Sequence, residues 1–192
     1  MRRTEARQRN REALIDAALA EVAAHGYRAT RLEDLADRAG LTTGAVYSIF
    51  GSKRELLAAA MERLVAEFEN AVAPLADPAL SLTEVLRGYA AVMYRAAVDP
   101  RARERFAFEL EAGAAAVRGL ELATGTPSAK LTELLTARQF GDRRTTADQA
   151  SRLAPAVAAL ASGLAQRAVF DPGSVDEDYL ADAAEALAGL LG

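Results

Sequence analysis

The sequence predicts an all-α protein built in two parts. Three observations carry this. Apolar residues recur at helical spacing along the 192-residue chain, with no sustained alternation and no Asn-Gly hairpin turn. Ser, Thr and Asp caps, Pro at first helical positions and Gly at helix ends divide the pattern into about nine segments. Hydrophobic residues make up 51% and charged residues 26%, enough to bury a sizeable core and too apolar for disorder.

The elements follow in order. Leu14, Ile15, Ala18, Leu19 and Val22 share one face of a first helix, which His25-Gly26 closes. Thr30-Arg31-Leu32-Glu33 reads as a capping box for a short second helix ended by Gly40. Thr42 can cap a third helix, reaching Phe50. Ser52-Lys53-Arg54-Glu55 is a further capping box, opening a long fourth helix to about Ala73. Ser81-Leu82-Thr83-Glu84 opens a fifth, to near Val98. Asp99-Pro100 opens a sixth, and Thr126-Pro127 a seventh that stops at Gly141. Thr146-Ala147-Asp148-Gln149 opens an eighth, ended by Asp171-Pro172-Gly173, with Pro155 inside it as a kink or a delayed start. Ser174-Val175-Asp176-Glu177 opens a ninth running to the C-terminus.

Net charge is −4, unevenly distributed. Residues 1–63 hold 11 Lys/Arg against 9 Asp/Glu, and the remainder hold 12 against 18. The first eleven residues, MRRTEARQRNR, carry five Arg and one Glu. This basic arm is either a solvated disordered tail or the footprint of a polyanionic partner. There is no Cys and one His, which excludes disulfides, thiol catalysis, and Cys- or His-rich metal sites. No apolar run approaches the roughly 18–20 residues of a membrane span. The Arg-rich start lacks the apolar stretch of a secretory signal. The expectation is a cytoplasmic, non-enzymatic protein without cofactor, metal or membrane partner. Glu109 and Glu111 are two residues apart on a helix, so they make no acid–base pair, and there is no Gly-rich phosphate loop.

The second and third predicted helices, joined by Gly40-Leu41, make a helix-turn-helix. Its inner face would be Leu32, Leu35, Ala36, Leu41, Val46, and Ile49 or Phe50. The outward residues Thr42, Thr43, Gly44, Ala45, Tyr47 and Ser48 are small or hydroxyl-bearing, as suits a helix that sits deep in a major groove. Lys53, at the start of the next helix, is placed to meet a phosphate. The alternative is an ordinary helical corner in a protein-interaction module that does not bind DNA.

The stretch AALAEVAAHGYRATRLEDLADRAGLTTGAVYSIFGSKRELL, Ala17 to Leu57, resembles the N-terminal domain of the TetR family of bacterial transcriptional regulators. The resemblance lies in Ala17-Ala18, Gly26-Tyr27, Thr30, Leu35-Ala36, Ala39-Gly40-Leu41, Gly44, Val46-Tyr47, Phe50, Ser52-Lys53 and Leu56-Leu57. The later stretch from Leu131 to Pro172 is similar in layout to the family's seventh and eighth helices. The resemblance implies a DNA-binding domain at 1–55 and an effector-binding and dimerisation domain at 56–192. It implies a homodimeric repressor on a palindromic operator in double-stranded DNA, released by a small-molecule effector. It also implies phosphate contacts at Tyr47 and Lys53, and base-proximal positions at 42–45 and 48. The chain departs from the family pattern at Val22, Ala45 and Ile49. At Arg31 it departs again, with a side chain that could itself reach a phosphate.

In the second part, Tyr89, Met93, Phe106, Phe108, Glu109, Gln139 and Phe140 are candidate effector-contacting residues. An Ala-rich scaffold leaves room beside Met93 and Phe108, and Glu109 could pair a cationic group. Ordinary core packing is the competing reading for the aromatics. Val157, Leu160, Ala161, Leu164 and Ala168, with Leu180, Ala184 and Leu187, form stripes of small and branched residues on the last two helices. By the same resemblance these stripes form the dimer interface.

Overall fold

The computed structural model describes residues 2–119 and 127–191. Thr126, the expected cap of the seventh helix, lies outside them. The described residues form nine α-helices: α1 (Arg2–His25), α2 (Leu32–Arg38), α3 (Thr43–Phe50), α4 (Lys53–Val72), α5 (Leu82–Val98), α6 (Ala102–Val117), α7 (Pro127–Leu135), α8 (Ala147–Phe170) and α9 (Glu177–Ala186). Short 3-10 turns follow α4 at Ala73–Ala76 and α9 at Leu187–Leu191.

The chain divides into two compact units, Met1–Ala66 with Arg103–Thr124, and Glu67–Ala102 with Gly125–Gly192. The first has its own core. Leu14, Ile15, Leu19 and Val22 of α1 meet Leu35 and Ala36 of α2, Val46 of α3, Leu56, Leu57 and Leu64 of α4, and Phe108, Ala112 and Ala115 of α6. The second core joins Val85, Leu86 and Tyr89 of α5, Leu131 and Leu135 of α7, Leu153, Val157 and Ala161 of α8, and Leu180 and Ala184 of α9.

Most caps fall where the sequence places them. Ser81 accepts from the Glu84 N–H at 3.3 Å while Glu84 Oε2 accepts from the Ser81 N–H at 2.7 Å. Thr146 and Gln149 do the same for α8. Ser52 Oγ accepts from the Glu55 N–H at 3.1 Å, opening α4. Three openings differ in their caps. Thr30 is buried and its hydroxyl turns back to the Gly26 carbonyl at 2.9 Å, so Arg31 takes the cap position before α2, which starts at Leu32 as expected, with the Arg31 N–H donating to Asp34 Oδ2. Asp99 closes α5, and α6 starts only at Ala102. Asp176, not Ser174, caps α9, accepting from the Tyr179 N–H at 2.7 Å.

Two larger expectations also change. The seventh helix does not reach Gly141. It ends at Leu135, and a two-stranded antiparallel hairpin follows, pairing Gln139 with Arg144 and Phe140 with Arg143. A strand pair this short is beneath any alternation signal. Helix α8 passes unbroken through Pro155 and is, by length and composition, apolar enough to cross a membrane, with a mean hydropathy of 1.4. It is instead a core helix, packed on α5, α7 and α9.

Arg138 holds the second unit's hairpin end. Its buried guanidinium donates to the carbonyls of Leu134 (2.6 Å), Leu75 (2.8 Å) and Asp77. One cation thereby serves both the end of α7 and the turn after α4. Arg138→Met should therefore lower the unfolding free energy by about 2–4 kcal/mol, because removing a charged donor leaves buried acceptors unsatisfied. Chemical denaturation checks this, and an unchanged midpoint would contradict the role.

Candidate nucleic-acid interface

The helix-turn-helix is built from local rules. After α2, Gly40 takes φ +65°, the left-handed conformation that favours glycine. This lets the Leu41 N–H reach the Ala36 carbonyl at 2.9 Å and the Gly40 N–H reach that of Asp37 at 3.0 Å. The paired bonds are those of a Schellman stop. Thr42 then caps α3, accepting from the Ala45 N–H at 3.2 Å. At the far end Gly51, at φ +81°, donates to the Tyr47 carbonyl. Local hydrogen bonds thus fix the turn between α2 and α3, and α3 is short because a glycine stops it.

The two faces of α3 separate cleanly. Val46 is fully buried, and Ile49 and Phe50 pack against the first core with Leu32, Ala39 and Leu41. Thr42, Gly44, Tyr47 and Ser48 are exposed, Tyr47 at 56%, while Thr43 and Ala45 are half-buried. Arg31 is exposed at the start of α2. Ile49, where the family pattern suggests a polar group, is a packing residue here. A Cβ built on Gly44 would meet only Thr42 Oγ1, at 3.7 Å, and its φ is unexceptional. Nothing within the described protein requires glycine at 44.

Lys53 does more than the sequence shows. Its ammonium donates to the carbonyls of Tyr27 and Thr30, both at 2.5 Å, and lies 4.6 Å from the centre of the Tyr27 ring. Partial burial holds its pKa below the ordinary lysine value. Two of its three N–H groups are thus committed to the turn between α1 and α2. Glu111 of α6 holds the same turn from the other side, its Oε2 accepting from the Tyr27 N–H at 3.0 Å. Glu21 ties α1 to α2, accepting from Arg38 at 2.9 Å and lying 3.0 Å from His25 Nδ1.

Sequence reasoning missed the role of Glu111 and the packing of Arg7 and Arg11 against α3. The basic arm is helical from Arg2 onward, so the reading of a disordered tail does not hold. Arg7 reaches the Ser48 carbonyl at 3.5 Å, and Arg11 lies over the Phe50 ring at 5.3 Å. The four-residue spacing of Arg7 and Arg11 on a helix is the signal that could have placed both on one face.

Residues 14–60 match the family model described as bacterial regulatory proteins, tetR family. This segment is a tetR-family domain. Solved structures share the fold across nearly the full chain. A tetR-family member from Streptomyces coelicolor A3 is similar at TM-score 0.73 and 22% identity, over 93% of this chain and 97% of that one. A TetR-like transcriptional regulator from Rhodococcus sp. RHA1 gives 0.67 and 24%, over 95% and 96%. The fatty acid degradation regulator FadR from Bacillus halodurans gives 0.68 and 19%, over 92% and 93%. No curated protein matches the chain in sequence.

The remaining candidates divide between the two compact units. Tyr89 is fully buried in the second core, edge-on to Phe68 at 6.1 Å, with no partner for its hydroxyl among the described residues. Burial pushes the pKa of that hydroxyl up to about 12. Met93 and Phe140 pack partly buried on the same core, and Gln139 is exposed, bonded to the Gly141 carbonyl. Phe106, Phe108 and Glu109 fall in the first unit, Phe108 as a core residue. Glu109 is exposed, yet the protein around it disfavours the charge and raises its pKa, with Arg105 pulling the other way. On α8 and α9, Val157, Ala161, Ala168, Leu180 and Ala184 are buried within the chain's own core. Leu160, Leu164 and Leu187 are half-buried, and the outward apolar surface adds Ala159, Gly163, Phe170, Tyr179 and Leu190.

Loss of the Lys53 ammonium should loosen the turn even without DNA. Lys53→Met is expected to lower stability by about 1–3 kcal/mol, whereas Tyr47→Phe, altering only an exposed hydroxyl, should change it by under about 0.5 kcal/mol. Thermal unfolding of the free protein compares them, and equal midpoints would contradict the clasp.

Proposed function

We propose that the chain is a cytoplasmic, dimeric, DNA-binding transcriptional regulator, a repressor that α3 seats on a palindromic operator and that a small-molecule effector releases. The observation that carries this reading is the division of α3. Its apolar side is spent on the domain core, while Thr42, Gly44, Tyr47 and Ser48 remain in solvent with Thr43 and Ala45 beside them. A helix of this kind can enter a major groove, where hydroxyls bond base edges or phosphates and methyls meet thymine. Tyr47, Arg31 and the remaining N–H of Lys53 are the phosphate contacts in this reading. The tetR-family domain at 14–60 supports it.

The region 56–192 would carry the effector and dimer functions. Among the described residues of the second core the Tyr89 hydroxyl is buried without a partner, so a ligand there would bond it and pack on Met93 and Phe68. Dimer contacts would come from the outward residues of α8 and α9, with Leu160, Leu164 and Leu187 at their edge.

Salt-titrated binding to DNA from upstream of the chain's own gene tests the reading. Sequence-selective affinity that falls with salt is expected, and its absence would overturn it. Gly44→Ala should leave the free protein as stable or stabilise it by about 0.5–1 kcal/mol, since glycine inside a helix is unfavourable. The same change should weaken operator binding by crowding the groove; unchanged binding would count against close approach at 44. Leu190→Glu, altering an exposed side chain, should shift the protein toward monomer in sedimentation and weaken operator binding together. A dimer unaffected by it would displace the interface from this face.

A further inference from the structure

We infer that the site at Tyr89 selects an uncharged, mainly apolar molecule presenting one hydrogen-bond-accepting oxygen, as in a ketone or ester, and refuses carboxylates and ammonium ions. This rests on the reading of Tyr89 as the effector contact. The selection follows from what the second core leaves uncommitted. Among the described residues of that unit, the buried side chains with polar atoms are Arg138, Thr145 and Tyr89. Arg138 is spent: its Nε donates to the Leu134 carbonyl, Nη1 to those of Asp77 and Leu80, and Nη2 to that of Leu75. The Thr145 hydroxyl is spent as well, donating to the Leu135 carbonyl and accepting from the Arg138 backbone N–H. The half-buried Thr132 and Thr136 donate back along α7, to the carbonyls of Ser128 and Thr132. Of the three buried groups, only the Tyr89 hydroxyl is without a partner.

A buried hydroxyl with no partner is unfavourable, and a ligand oxygen that accepts its proton removes that penalty. A charged ligand gains no such compensation. Among the described residues this core buries no carboxylate to balance an ammonium, and its one buried cation is held by backbone carbonyls. An ion brought here would lose its water without gaining a counter-charge. The phenol cannot supply one, because burial pushes its pKa up to about 12 and it stays neutral. Phe68 stands edge-on to Tyr89 at 6.1 Å and, like Met93, is only partly buried. These are the apolar side chains that a ligand displaces to reach the hydroxyl, and the thioether of Met93 adapts readily. Ala90, Ala154 and Ala161 of the same core add little bulk.

The test titrates the full chain, as wild type and as Tyr89→Phe, with four molecules of similar size: acetophenone, ethylbenzene, benzoate and benzylammonium. Binding is followed by protein NMR, and the unfolding midpoints of the two free proteins are compared. Wild type should bind acetophenone most tightly, with benzoate and benzylammonium at least about tenfold weaker. Tyr89→Phe should weaken acetophenone by about threefold to tenfold, to the level of ethylbenzene, and leave ethylbenzene unchanged. The free variant should unfold at the wild-type midpoint or above it, since it loses a hydroxyl that has no partner. A lower midpoint shows the hydroxyl to be engaged within the protein and overturns the inference. A charged probe that binds as tightly as acetophenone, and loses that affinity in Tyr89→Phe, overturns the uncharged class and leaves Tyr89 as the effector contact. Acetophenone binding equal in both proteins, or binding by none of the four, overturns both.

Discussion

The ammonium of Lys53 holds the domain together at its least regular point. Between His25 and Leu32 the chain must leave α1, turn, and enter α2 with its carbonyls satisfied. Gly26, at φ +82°, starts the turn, and Thr30 buries its side chain within it. Lys53 then takes the Tyr27 and Thr30 carbonyls, while Glu111 takes the Tyr27 N–H. A lysine and a carboxylate thus hold one turn from two helices, α4 and α6. The placement of α2, and so of α3, depends on that turn. A residue that resembles a surface phosphate ligand in sequence is a structural clasp in the free protein, and a phosphate contact as proposed above would draw on the same three protons.

The exposed side of α3 shows the complementary constraint. The domain core takes what it needs from Val46, Ile49 and Phe50, and the opposite side is left thin. Gly44 is informative because the protein itself does not require it: there is space for a Cβ and no unusual backbone angle. Glycine in an eight-residue helix lowers helix stability, and the DNA-binding proposal gives it a use, as a place where another molecule can come close. Ile49 belongs with the core, and packing alone accounts for its apolar character.

Much of this was legible in the sequence. Caps at Thr42, Ser52, Ser81 and Thr146 follow from local hydrogen-bonding rules that need no tertiary information. The helix-turn-helix inner face followed from periodicity and Gly40. The cap of α2 and the starts of α6 and α9 were displaced by one or two residues because several potential caps lie together, and only packing selects among them. The hairpin at 139–144 was hidden because two residues per strand leave no pattern. Neither the membership of α6 in the first core nor Glu111's grip on Tyr27 could be read, since residues more than eighty positions apart meet there. Burial likewise sorted the stripes of α8 and α9: small residues at helical spacing mark a packed face but not whether the neighbour is the same chain or another.

Hydrogen exchange of the free protein and of its complex with footprinted upstream duplex is the most direct test of the central claim, that the solvent-facing side of α3 reads DNA. The account predicts slowed exchange over residues 42–50, with the buried amides of α8 unchanged. Exchange in α3 unaffected by a duplex that the protein demonstrably binds would contradict it.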